Sequence, residues 1–170
     1  MEKNSFKKYS DLYIINSLTT VLGIIFYLVD KKPEIPIAIF ATGISISFGF
    51  RQYKIENDKM FKELFLMFNE KYDRKFNDRL NKIDEKTIEN SEYELSWKES
   101  QLVIDYLNLC AEKYLWYTKD RIDEVAWLSW EKGMKYYLEI NPIKKCVQKQ
   151  KNQKDSYYGL FEKLNLNLNH

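Results

Sequence analysis

Only one histidine occurs in this chain, His170, and it stands at the end of the sequence. A mechanism that needs an internal imidazole base is thereby excluded. Cysteine is scarce too: Cys110 and Cys146 lie far apart with no CxxC spacing, which indicates neither a zinc site nor a disulfide framework. Free thiols are expected, and Cys110, on an apolar helix face with no His partner, is expected to be buried and unreactive. Five Gly and three Pro interrupt 170 residues, which disfavours a β-rich fold and favours long helices. No glycine-rich phosphate loop, HExxH or paired Ser and His is present, so no cofactor site, metal site or nucleophile is expected. A formal charge of +2 offers no basic excess, and direct nucleic-acid binding is not expected.

What the chain does have is apolar and lies early. Leu12 to Val29 and Ile35 to Phe50 carry no Asp, Glu, Lys or Arg, in a protein of which 31% is charged. The turn between them, Asp30 to Glu34, is charged. A helix rising about 1.5 Å per residue needs roughly 20 residues to cross a bilayer core. The first segment is adequate and the second short, but Arg51 can reach the headgroups while its stem stays in lipid, with Tyr53 as an interfacial ring. The expectation is a transmembrane hairpin over residues 1–53. A soluble core hairpin is the alternative; a cleaved signal peptide fits less well, because no small-residue cleavage site precedes Asp30 and a second apolar segment follows at once. Lys3, Lys7 and Lys8 precede the first segment and Arg51, Lys54, Lys59 and Lys62 follow the second, against Lys31 and Lys32 in the turn. Both termini are therefore expected on the cytoplasmic side of a bacterial inner membrane.

Within the first span Asn16, Thr20, Gly23 and Tyr27 fall on one helical face; in the second, Ala38, Ala41 or Thr42, Ser45 and Gly49 do the same. Such stripes let helices approach closely in lipid. Either the two faces pack against each other inside one hairpin, or one of them meets neighbouring subunits or a wet lumen, where a residue such as Asn16 is tolerated.

From Phe61 the apolar residues Leu64, Phe65, Phe68, Tyr72, Phe76, Leu80 and Ile83 recur at steps of three and four, which predicts an amphipathic stalk helix over 54–83, roughly 45 Å long. Residues 84–99 are polar and predict a loop. A cytosolic helical head over 100–164 is expected to open with Ser100 as N-cap, to turn at Lys119 and Asp120, and to restart under an Asp123 cap. Pro142 suits the start of a short basic helix, and Asp155 the opening of a last one before a frayed tail, 165–170. Thirteen Tyr and four Trp invite a base-stacking reading, but at helical spacing they are core. Asp105, Asn108 and Glu112 share the polar face of the first head helix, with Arg121 beyond it. They are the candidate polar cluster, read mainly as a solvated face, with carboxylate chemistry formally open.

The segments Phe68–Asp73 and Asp105–Glu112, then Trp116-Tyr117, Arg121–Glu124, Trp127, Trp130, Gly133-Met134 and Tyr157–Leu160, resemble a family of bacterial membrane proteins that includes phage abortive infection proteins. The layout also resembles the small membrane accessory protein of type VI-B CRISPR systems. That resemblance implies a homo-oligomeric membrane pore in antiphage defence, functionally linked to an RNA-guided nuclease or another phage-sensing protein. Members of that family carry a degenerate Arg-x4-6-His ribonuclease motif; here no His follows any Arg at that spacing, so the nuclease role does not transfer. The expected protein is all-α and non-enzymatic, with the lipid bilayer and copies of itself as partners. A membrane-tethered adaptor whose head binds a partner protein or RNA is the other reading, and a tethered hydrolase using Asp105 and Glu112 a third.

Overall fold

The computed structural model describes residues 3–166, with the side chains of residues 3–9, Asp11, Lys151 and Lys154 outside the description. Among the described residues every regular element is helical. The chain divides into two units, one up to Asp58 and one from Lys59.

The first unit is a helical hairpin. Helix α1 spans Lys3–Asp30 and stops where Lys31 takes a left-handed φ of 54°, its N–H returning to the Tyr27 carbonyl at 2.9 Å. Helix α2 opens at Glu34 and runs to Tyr72. Pro36 sits in its first turn, where its missing N–H removes no helical bond. Along the seam, Gly23 of α1 lies against Pro36, and Gly43 of α2 against Thr19. Gly43 and Ser47 are buried there, and Asn16, Thr19 and Thr20 partly so. Nearly everything else in these segments faces outward, including Leu18, Val21, Leu22, Phe40 and Phe48.

The second unit is a helical domain with its own core. After Tyr72 the helix widens into a π-turn, Asp73–Asn77, before α3 (Asp78–Glu89). Helix α4 (Trp97–Thr118) packs against α5 (Glu124–Leu138), α6 (Asn141–Gln148), a 3₁₀ segment (Lys151–Tyr157) and α7 (Leu160–Lys163). Phe68, Phe76, Leu80, Ile83, Val103, Leu107, Trp127, Ile143 and Leu160 fill the interior. Buried side chains of this size contribute about 1.5–3 kcal/mol each against the conformational entropy lost on folding.

Several expectations need correction. The amphipathic stretch expected as a free stalk over 54–83 is, from Lys59, part of the helical domain: Leu64, Phe68, Phe76, Leu80 and Ile83 are all in its core. The expected loop over 84–99 is shorter, because α3 continues to Glu89 and α4 already begins at Trp97. Its N-cap is Ser96, not Ser100: the Glu99 N–H donates to Ser96 Oγ, and the Ser96 N–H donates back to the Glu99 carboxylate at 2.9 Å. That is a reciprocal capping box. The last helix does not open at Asp155. Tyr158 and Gly159 are both left-handed (φ 55° and 83°), which separates the 3₁₀ segment from α7. Asp123 caps α5 as expected, accepting from the Ala126 N–H at 2.7 Å. Residues 167–170 of the expected frayed tail, His170 included, lie outside the described residues.

Candidate functional site

The hairpin positions its polar residues through its own backbone. Asn16 Nδ2 donates to the Leu12 carbonyl at 2.8 Å and Thr20 Oγ1 to the Asn16 carbonyl at 2.7 Å, so both are satisfied one turn back along α1. Gly23 is buried in the seam, whereas Tyr27 is exposed. Of the second stripe, Ala38, Ala41, Thr42, Ser45 and Gly49 are all exposed. Thr42 and Ser45 donate to the carbonyls of Ala38 and Ala41, and a Cβ built on Gly49 would meet nothing within 4 Å. The two expected stripes therefore do not face each other. The seam partner of Thr19 and Gly23 is the row Pro36, Gly43 and Ser47, offset around α2 from the stripe expected to pack there. Asn16, Ser47 and Arg51 line a cavity of about 190 Å³ at the open end of the hairpin.

In the helical domain the expected polar cluster comes apart into two ion pairs. Lys75 Nζ meets Asp105 Oδ2 at 2.7 Å, and Lys71 Nζ meets Glu112 Oε2 at 3.2 Å. All four side chains are nearly half exposed, so each pair contributes about 0–1 kcal/mol and ties α4 to the end of α2 and to the π-turn. Asn108 is exposed between them, and Arg121 lies past the end of α4, where its N–H donates to the Trp116 carbonyl at 3.0 Å. The structure does not bring Asp105, Asn108, Glu112 and Arg121 together as one site. Among the described residues no group of three or more His, Cys, Asp and Glu gathers that could hold a metal ion.

A different group does gather. Lys113 is 5% exposed. Its Nζ stands 4.3 Å from the Trp130 ring centroid, 5.7 Å from that of Tyr72 and 5.9 Å from that of Phe68. Burial lowers its ammonium to about 8, against the opposing pull of Cys110 and Asp73. Lys113 lines a cavity of about 400 Å³ with Asn69, Tyr72, Asp73, Trp130 and Gly133. The π-turn starts at the wall of this cavity, and such turns recur at functional sites. A hydrogen-bonded row braces the same wall: Tyr72 OH donates to Asn77 Oδ1 at 3.2 Å, and Tyr137 OH to Asn81 Oδ1 at 2.6 Å.

No family model, curated protein or solved structure matches this chain. The site therefore stands on its geometry.

Cys110 is buried as expected, and burial pushes its thiol up to about 12. Lys113 was not among the expected site residues, although its register gave it away. It lies three residues after Cys110 and seven after Tyr106, on the apolar face of α4, where a lysine is out of place. The aromatic residues are core members, as their spacing predicts: Trp127 is fully buried and stacks on Tyr117 at 4.9 Å. Trp97, Tyr136 and Tyr158 are exposed and are the exceptions in the helical domain.

Proposed function

We propose that this chain is a non-enzymatic helical protein of the bacterial inner membrane, held in the bilayer by its N-terminal hairpin and assembled with copies of itself to perturb that membrane in antiphage defence. The observation that carries the membrane part is exposure. Two helices are long and apolar enough to cross a membrane, and only 6% of the first apolar window and 11% of the second are buried. A core hairpin of a soluble protein would bury most of that surface; here lipid is the solvent that suits it.

Self-assembly is supported by the stripe of Ala38, Thr42, Ser45 and Gly49, which remains uncovered after the hairpin has closed. In lipid, small residues at such spacing are where helices of separate chains approach. The defence role, and its link to an RNA-guided nuclease or other phage sensor, rests on the resemblance of the aromatic segments alone. The distribution of cations supports cytoplasmic termini.

One observation favours a second reading, a membrane-tethered adaptor. Asn16 and Thr20, the residues a lumen would use, are satisfied within α1, and Gly23 is spent on the intrachain seam. Dye release from vesicles separates the two. The assembly reading predicts that the full chain releases trapped dye and that Gly49→Leu abolishes release at unchanged helix content. If residues 1–50 can be exchanged for an unrelated two-span hairpin without loss of phage protection, the hairpin is an anchor.

A further inference from the structure

Lys113 is the one charged side chain buried among the described residues, and no hydrogen bond or ion pair with a described residue accounts for it. Three ring faces attract its ammonium, but a ring face does not replace an oxygen acceptor for its three N–H donors. The Lys113 stem is buried and its ammonium opens onto a cavity with no carboxylate of the described residues in ion-pair contact, so an acceptor in that space would relieve the cost of holding the charge there. That space is the cavity of about 400 Å³, at the lower end of the range for small-molecule sites.

The lining narrows the chemistry of the acceptor. Among the described residues Lys113 is the only cation on the cavity wall, and Asp73, an exposed carboxylate, lies on the same wall. The single cation can partner one carboxylate, and Asp73 on the same wall disfavours a more highly charged anion such as a phosphate monoester. Tyr72, Tyr106, Trp130 and Met134 make the rest of the wall aromatic or apolar, which suits a flat apolar body. Gly133 contributes room: a Cβ built there would meet nothing within 4 Å.

We propose that this cavity is a binding site for a small aromatic monocarboxylate, whose carboxylate accepts from Lys113 Nζ and whose ring lies against the aromatic wall. The site belongs wholly to the helical domain, so the proposal does not depend on what the hairpin does in the membrane. Because Lys113 titrates near pH 8, binding belongs to its protonated form and weakens as pH rises from 7 to 9.5.

The test uses the detergent-purified full chain and 4-fluorobenzoate, with fluorine NMR line broadening as the readout and the same detergent without protein as the blank. Saturable binding is expected at pH 7, weakened about tenfold or more by Lys113→Met, which removes the charge-assisted hydrogen bond. Gly133→Leu takes up space in the cavity while keeping the lysine in the sequence and is expected to weaken binding as much. Circular dichroism checks that each variant folds, and either folded variant suffices. Phenyl phosphate and benzylamine compete with the probe at the same concentrations. The proposal is overturned by absence of saturable binding up to about 10 mM, well beyond millimolar affinity. It is equally overturned by binding that both folded variants retain, or by displacement that favours phenyl phosphate or benzylamine over unlabelled benzoate.

Discussion

A methyl group on the Cα of Gly43 would stand 2.6 Å from both Cγ2 and Oγ1 of Thr19, and 2.9 Å from its Cβ. Thr19 cannot easily swing away, because its hydroxyl donates to the Ile15 carbonyl at 3.0 Å and the Asn16 carbonyl at 3.1 Å. The two helices of the hairpin meet closest where α2 has no side chain. Gly43→Ala is therefore expected to destabilise the hairpin by about 1–3 kcal/mol, the usual cost of overpacking. Gly49→Ala, which meets open space, is expected not to. Thermal unfolding of the two variants in the same detergent makes the comparison.

The capping box at the start of α4 should control acid stability. Burial raises the Glu99 carboxyl, but bonds from Ser96 Oγ, Lys86 Nζ, Tyr93 OH and the Ser96 N–H outweigh that and bring it down to about 2. A carboxyl depressed in the folded state contributes stability that is complete above its unfolded pKa and lost as pH falls from about 4.5 towards 2. Glu99→Gln should cost about 1–3 kcal/mol at pH 7 and nothing further below pH 2. Urea unfolding at pH 7, 4 and 2.5 measures the convergence.

Lys113 has the opposite sign. Its ammonium is lowered from 10.5 to about 8, so between those values the unfolded chain binds more protons and stability rises with pH. Lys113→Met is expected to be more stable than the parent at pH 7, by up to about 3 kcal/mol, with the difference closing as pH passes from 8 to 10.5. A Lys113→Met chain much less stable than the parent at pH 7 would show that the ring contacts hold the fold together.

Gly133 lies in the interior of α5, where glycine costs about 1 kcal/mol relative to alanine. Its missing side chain relieves no crowding. Gly133→Ala should raise the stability of the helical domain by about 0.5–1 kcal/mol. Denaturant midpoints at pH 7 check it.

The all-helical character was legible from the scarcity of Gly and Pro and from the three-and-four spacing that runs from Phe61 to Ile83. The hairpin helices were legible from two uncharged segments and a charged turn. The role of the 59–83 stretch was not, because a periodic apolar face reads the same whether its own chain or another covers it; only the fold shows Phe68 and Leu80 enclosed by the helical domain. The start of α4 could have been read, since Ser96-Trp97-Lys98-Glu99 is a capping-box spacing, but the exposed Trp97 blurred the apolar pattern there. The hairpin seam lies one small-residue row away from the expected one: α2 carries both Ala38–Thr42–Ser45–Gly49 and Gly43–Ser47, and composition alone does not choose between adjacent faces. Lys113 is hard to single out in the sequence, because one lysine on a charged helix is ordinary until its register against Tyr106 and Cys110 is counted.

The mass of the detergent-purified chain, by light scattering corrected for bound detergent, tests the account most directly. The account predicts one discrete closed assembly of about six or more subunits. Replacing Ser45 and Gly49 by Leu should reduce it to smaller species. A parent chain that is monomeric across detergents and concentrations would contradict self-assembly and leave the hairpin as an anchor for the helical domain.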